Sequence, residues 1–208
     1  MAVWKVGFNF RDTAIYVTDG ADEIYVLGET SSTVRATANG NSATFHWSSG
    51  LETRNRNAGG DARLAGVNFA WSNGTRVLYV TLPQAGTYIV RLAMGDNDTD
   101  FGGSVLYIND GATNKLTIED TVILADHYND ASGVDRTRAA WPGSNVAVEL
   151  TFASTDFRLQ LGPAGDPGAY YRGSPIAHLY LEYVPSFIPY PFARGARGGL
   201  GSKSGGLQ

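Results

Sequence analysis

The chain of 208 residues contains no cysteine, which excludes a disulfide framework and any thiolate metal site. Charge is sparse as well. Asp, Glu, Lys and Arg together make up 17% of residues, too few for a coiled coil or a solvated disordered chain. Histidine occurs only as His46, His127 and His178. The Gly-x-Ser-x-Gly nucleophile elbow is missing, so hydrolysis by a Ser-His-Asp triad has little to build on. No apolar run approaches the roughly 20 residues of a membrane-spanning helix. The opening MAVWKVGFNF lacks the apolar core of a signal peptide and reads as a first strand. A product made in the cytoplasm, without membrane contact, is therefore expected. Excess positive charge is absent too: the net charge is −4. The only charges after Glu182 are Arg194, Arg197 and Lys203, so the body is more acidic still. That excludes a general nucleic-acid binder.

What is present is glycine, 26 residues of it, with 43% hydrophobic residues. This combination suits a turn-rich β protein with a real core. Strand signals recur at Val3 to Phe10, Glu23 to Leu27, Ala43 to Trp47, Thr75 to Leu82, Thr87 to Met94, Ser104 to Asn109, Leu116 to Ala125, Asn145 to Phe152, Asp156 to Leu161 and Ile176 to Val184. The clearest pair flanks the turn Pro83-Gln84-Ala85-Gly86, with Tyr88, Val90, Leu92 and Met94 pointing inward and Arg91 outward. No stretch sustains a helix period. Many short strands with Gly, Pro, Asn and Asp between them predict an all-β jelly-roll β-sandwich. Residues 1–185 form that domain. Residues 186–208, SFIPYPFARGARGGLGSKSGGLQ, form an extended C-terminal arm that cannot build a core. Its apolar and basic residues Phe187, Ile188, Tyr190, Phe192, Arg194, Arg197 and Leu200 are expected to dock on a partner.

Long polar segments separate several strands, and such loops often bind partners. In 126–142, DHYNDASGVDRTRAAWP, Trp141, Tyr128 and Asp126 are candidate glycan contacts, joined by Tyr170 and Tyr171 from the Gly/Pro-rich segment 162–175. Aromatic faces suit the apolar faces of a sugar ring, and polar side chains suit its edges. The competing reading is that such aromatics plug the ends of the sandwich. Asp96, Asp98 and Asp100 stand at alternate positions in GDNDTD, a spacing that could offer oxygen ligands to calcium. The glycine and distant glutamate of a calcium loop are out of register, however, so a solvated turn is the simpler reading and no metal is expected. Arg54, Arg56 and Arg63 surround Asp61, where Arg-Asp pairs would staple the loop to the body.

Four runs carry a family resemblance: VGFNFRDTAIYVTDG from Val6, DARLAGVNF from Asp61, TRVLYVTLPQAGTYIVRLAMGD from Thr75 and IAHLYLEYV from Ile176. Together they resemble galactose-binding-like jelly-roll domains, in the version found in uncharacterised bacteriophage virion proteins. The resemblance covers the body to Val184, and its most specific part is Leu82 to Asp96. It implies a non-enzymatic virion structural protein, capsid decoration or tail-associated, made in the host cytoplasm. Such a protein would bind other virion proteins and its own copies and would need no cofactor. The alternative is a glycan-binding module; the third reading is an accessory domain of a carbohydrate-active enzyme.

Overall fold

The computed structural model describes residues 3–14, 18–56, 61–70, 75–98, 101–102, 105–119, 122–143, 145–162 and 174–186. The strands are β1 (Lys5–Phe10), β2 (Glu23–Val26), β3 (Thr33–Ala36), β4 (Ser42–Trp47), β5 (Glu52–Asn55), β6 (Gly66–Phe69), β7 (Arg76–Thr81), β8 (Gly86–Asp96), β9 (Phe101–Gly102), β10 (Val105–Asn109), β11 (Asn114–Glu119), β12 (Val122–Ile123), β13 (His127–Asn129), β14 (Asp135–Thr137), β15 (Val148–Phe152), β16 (Asp156–Leu161) and β17 (Pro175–Val184). Two short 3-10 turns, Ala62–Leu64 and Arg138–Ala140, complete the set. Among the described residues no helix is long and apolar enough to cross a membrane.

Two sheets face each other in the jelly-roll β-sandwich that the sequence predicts. Among the described residues the larger sheet has nine strands, ordered β14-β13-β8-β17-β1-β2, with β15 also beside β8 and β5-β6 beside β17. The smaller has six, ordered β11-β10-β16-β7-β4-β3. Nine of the ten strands expected from sequence form, and the tenth, Leu116 to Ala125, is divided between β11 of the smaller sheet and β12, which pairs only with β9. Those not expected are short: β3, β5, β6, β9, β13 and β14. Segment 126–142 is thus not one open loop. Its turn is organised by the buried Asp130, whose Oδ1 accepts from Ser132 N at 2.9 Å and from the Ser132 hydroxyl, while Oδ2 accepts from Arg136 Nε at 3.1 Å.

Period-two patterning places Phe8, Phe10, Tyr88, Val90, Leu92, Leu179 and Leu181 from the larger sheet against Phe45, Trp47, Leu78, Val80, Leu106, Ile108, Phe157 and Leu159 from the smaller. Phe8 meets Phe45 edge-on, with ring centroids 5.9 Å apart, and Phe10 meets Trp47 at 5.9 Å. Each fully buried large side chain contributes about 1.5–3 kcal/mol relative to exposure. The core is therefore assembled from both sheets, and the polar positions of β1, β2, β8 and β17 are left for the outer face of the larger one.

Candidate functional site

The outer face of the nine-stranded sheet carries a cleft of about 460 Å³. Four strands build its floor as one cross-strand row. Arg91 of β8 stands opposite Tyr180 of β17, Tyr180 opposite Gly7 of β1, and Gly7 opposite Glu23 of β2. The next row sets Ala93 beside His178 and His178 beside Asn9. Gly7 opens the floor. A Cβ there would lie 2.8 Å from Glu23 Cγ, 3.2 Å from His178 Nε2 and 3.6 Å from Tyr180 Cδ2, so any larger residue would fill the space between them.

Three segments form the walls: Gly20 to Asp22, Arg63 on the first 3-10 turn, and Pro142, Gly143 and Asn145. Asp61 caps that turn by accepting from Arg63 N at 3.0 Å, and it also grips the Arg63 guanidinium through Nε at 2.9 Å and Nη2 at 2.8 Å. Lys5 pairs with Asp22 at 2.8 Å, and its hydrogen bond holds that carboxyl below its usual range. Glu23 accepts from Gly20 N at 2.9 Å and from Asn9 Nδ2 at 3.1 Å. Tyr180 donates its hydroxyl to Glu182 at 2.9 Å, and the Arg91 guanidinium sits 5.7 Å from the Tyr180 ring centroid. Burial and the Glu182 carboxylate push the Tyr180 phenol up, keeping it neutral. Among the described residues Arg91 has no carboxylate within ion-pair distance.

His178 is the unusual member. It lines the cleft, is 2% exposed, and neither ring nitrogen has a hydrogen-bond partner. Its nearest carboxylate oxygen, Glu23 Oε1, is 3.8 Å from Nε2, too far for a hydrogen bond. Burial pushes its pKa down to about 3, with the Arg63 charge adding to the shift, so the imidazole is neutral. It can accept at one nitrogen and donate at the other.

The aromatics expected to stack on sugar do something else. Tyr128 is 1% and Trp141 6% exposed, with ring centroids 6.4 Å apart. Together with Leu64, Ala93 and Ala177 they form a second apolar cluster. They cannot offer a free ring face, because the cluster covers them. Their place in the site is as pegs. Leu64 anchors the turn that carries Arg63, and Trp141 anchors the wall that begins at Pro142. Asp126 stays exposed and, among the described residues, its carboxylate reaches only Arg138, at 3.5 Å. Tyr170 and Tyr171 lie outside the described residues, as do the arm residues Phe187, Ile188, Tyr190, Phe192, Arg194, Arg197 and Leu200.

Two of the three carboxylates considered for calcium are held by an arginine. Arg56 grips Asp96 through Nε and Nη2, both at 2.8 Å, and reaches Asp98 at 2.9 Å. A guanidinium is already the counter-ion of these two carboxylates, and Asp100 lies outside the described residues. Among the described residues no group of three metal-ligating side chains converges. The expected Arg-Asp staple is real at Arg63, whereas Arg56 staples 52–56 to the end of β8 instead of to Asp61. Sequence reasoning did not single out Gly7, Asp22, Glu23, Arg91 or Tyr180 as members of a site. The signal lay in IAHLYLEYV, where His178, Tyr180 and Glu182 occupy the outward positions.

No protein-family model and no curated protein sequence matches the chain. Solved structures are similar at low identity. A carbohydrate-binding module of Cellvibrio mixtus lichenase 5A, in complex with cellotriose, is 14% identical over 65% of this chain and 86% of its own, with a TM-score of 0.31. An exo-β-1,3-galactanase of Phanerochaete chrysosporium, with galactose, is 14% identical over 73% of this chain at a TM-score of 0.33, and the likeness spans 29% of that enzyme. A plant complex of the peptide RALF23 with FER and LLG2 gives 14% identity, 89% of this chain, 49% of the matched chain and a TM-score of 0.42. None of these is a virion protein, and the virion reading gains no support from them.

Proposed function

We propose that the chain is a glycan-binding β-sandwich module whose ligand lies on Tyr180 in the cleft of the larger sheet. The observation that carries this reading is His178, a buried polar ring lining the cleft without a hydrogen bond. A buried donor or acceptor left unpaired costs about 1–3 kcal/mol, and a ligand hydroxyl would remove that cost. The rest of the lining supports the same chemistry. Asp22 and Glu23 offer acceptors, Arg63 and Arg91 offer donors, and the opposite charges offset each other. A ligand that donates and accepts through the same groups fits this mixture, and a sugar hydroxyl does both. An anion would face the two carboxylates, and a cation the two guanidinium groups. The half-buried Tyr180 ring supplies an apolar surface for a sugar face. The volume falls within the roughly 300–1,000 Å³ usual for small-ligand sites. Lys5, Asn9 and the Gly20 amide already engage both carboxylates, which supports binding rather than acid–base chemistry.

The test is a glycan array with full-length protein, followed by calorimetric titration of the best ligand. Tyr180→Ala is expected to weaken binding at least tenfold, about 1.4 kcal/mol, with an unchanged unfolding midpoint. Gly7→Ala, which wedges a methyl group between Glu23 and His178, is expected to weaken it comparably. Wild-type affinity in both variants would remove this cleft from the account.

A further inference from the structure

The opposite face of the sandwich has a cleft of its own. It encloses about 360 Å³ beside the β10–β11 hairpin, lined by Tyr107, Asn109, the turn 111–113, Asn114 and Gln160. We infer that this is a second ligand site, and that it takes a neutral polyhydroxylated ligand, an uncharged sugar unit. The register brings its side chains together. Tyr107 of β10 stands opposite Gln160 of β16, and Asn109 stands opposite Asn114 across the hairpin.

The turn is held rigidly before any ligand arrives. Asp110 Oδ1 accepts from Thr113 N at 2.7 Å and from Ala112 N at 3.1 Å, and Lys115 closes on Oδ2 at 2.9 Å. Gly111 has φ +84, and a Cβ there would meet the Arg158 guanidinium at 2.7 Å, so glycine lets the turn close over the Arg158–Asp156 pair. Preorganisation of this kind lowers the ordering cost of binding.

The hydrogen-bonding groups are uncharged. Asn109 uses its oxygen for Gly111 N at 3.0 Å, and Asn114 uses its Nδ2 for the Thr117 hydroxyl at 2.6 Å. Each thereby keeps the other half of its amide for a ligand. Among the described residues the Gln160 amide and the Tyr107 hydroxyl have no partner, which leaves a donor-and-acceptor set beside one phenol ring. Among the described residues no carboxylate, guanidinium or ammonium lines the cleft. The nearby Arg158 is engaged by Asp156 at 2.6 Å and lies 5.3 Å from the Tyr79 ring centroid. Hence neither an anion nor a cation finds a counter-charge here, whereas sugar hydroxyls match the amides.

The experiment is an NMR titration of the ¹⁵N-labelled full chain with cellotetraose, xylotetraose and galactobiose, and with tetragalacturonate as the charged comparison. The side-chain amide signals of Asn109, Asn114 and Gln160 are expected to move saturably with at least one neutral probe and not with the charged one. Gln160→Ala should weaken that response at least tenfold without changing the unfolding midpoint. No saturable shift with any neutral probe, or an equal response to tetragalacturonate, would overturn the inference. Shifts confined to the surroundings of Tyr180 would overturn it while leaving the first cleft intact. Shifts confined to the hairpin would uphold it and count against the first cleft.

Discussion

Gly95→Ala is expected to lose the native fold. Gly95 sits near the end of β8, in the middle of the larger sheet, at φ +158. An added Cβ would lie 2.2 Å from the His127 carbonyl oxygen and 3.0 Å from Tyr128 Cα. Both are backbone atoms of β13, which pairs with β8 at this residue, so no side-chain rotation relieves the clash. Separating the strands would also expose the Tyr128–Trp141 cluster, which packs on Ala93 of β8. Left-handed strain alone costs about 1–3 kcal/mol, and the lost pairing adds to it, against a total stability of about 5–15 kcal/mol for a typical domain. Gly133→Ala is the control. Gly133 has φ +75, but its nearest foreign atom would be Ile118 Cγ2 at 3.9 Å, so only the backbone strain applies. Urea unfolding should give a soluble, modestly weakened Gly133 variant and little or no folded Gly95 variant. Equal midpoints would contradict the packing described for β8 and β13.

The second large effect is on pH. His178 titrates near 6.5 in the unfolded chain and is pushed down to about 3 in the fold by burial. Below pH 6.5 the unfolded chain takes up a proton that the folded chain refuses. Folding stability therefore falls as pH falls from about 6.5 towards 3, and the contribution is fully present only above 6.5. The limiting slope is about 1.4 kcal/mol per pH unit, and the whole window amounts to about 5 kcal/mol. The carboxyl groups of Asp22, Asp61, Asp110 and Asp130 are held below their ordinary value of 3.8. They lose their stabilising effect only at lower pH, so His178 dominates between pH 6.5 and 4.5. Unfolding free energies across that interval should fall by about 2–3 kcal/mol in the wild type and stay nearly level in His178→Gln. A level wild-type profile, or an unchanged slope in the variant, would mean that the imidazole is not buried as described.

The sandwich was legible in the sequence because its main strands obey period two. Tyr88 to Met94 alternate inward as their pattern requires, and Arg91 faces out. The strands that escaped notice, such as β5, β6, β13 and β14, have three or four residues each, too few to display a period. They form as pairs at the rim of the larger sheet: β13 and β6 each join part of a long strand, β8 and β17, and β14 and β5 pair with them in turn. The cleft of the larger sheet escaped for a related reason. Its floor joins positions 7, 23, 91 and 180, and only the register of four strands makes them neighbours. Aromatics in a polar segment, by contrast, look available in a sequence. Nothing in 126–142 announces that Leu64, Ala93 and Ala177 cover Tyr128 and Trp141. The loop was nevertheless close to the site, since Pro142, Gly143 and Asn145 form one of its walls.

The most direct measurement is the imidazole spectrum of His178, recorded by long-range ¹H–¹⁵N NMR at neutral pH with and without a saturating glycan chosen from the array. A ligand hydroxyl that satisfies this ring predicts a large shift of at least one His178 nitrogen, with His46 and His127 unmoved and the response moved to at least tenfold higher glycan concentration in Tyr180→Ala. A bound glycan that leaves both His178 nitrogens where they were would contradict the account, because the buried ring beside Tyr180 would then take no part in recognition.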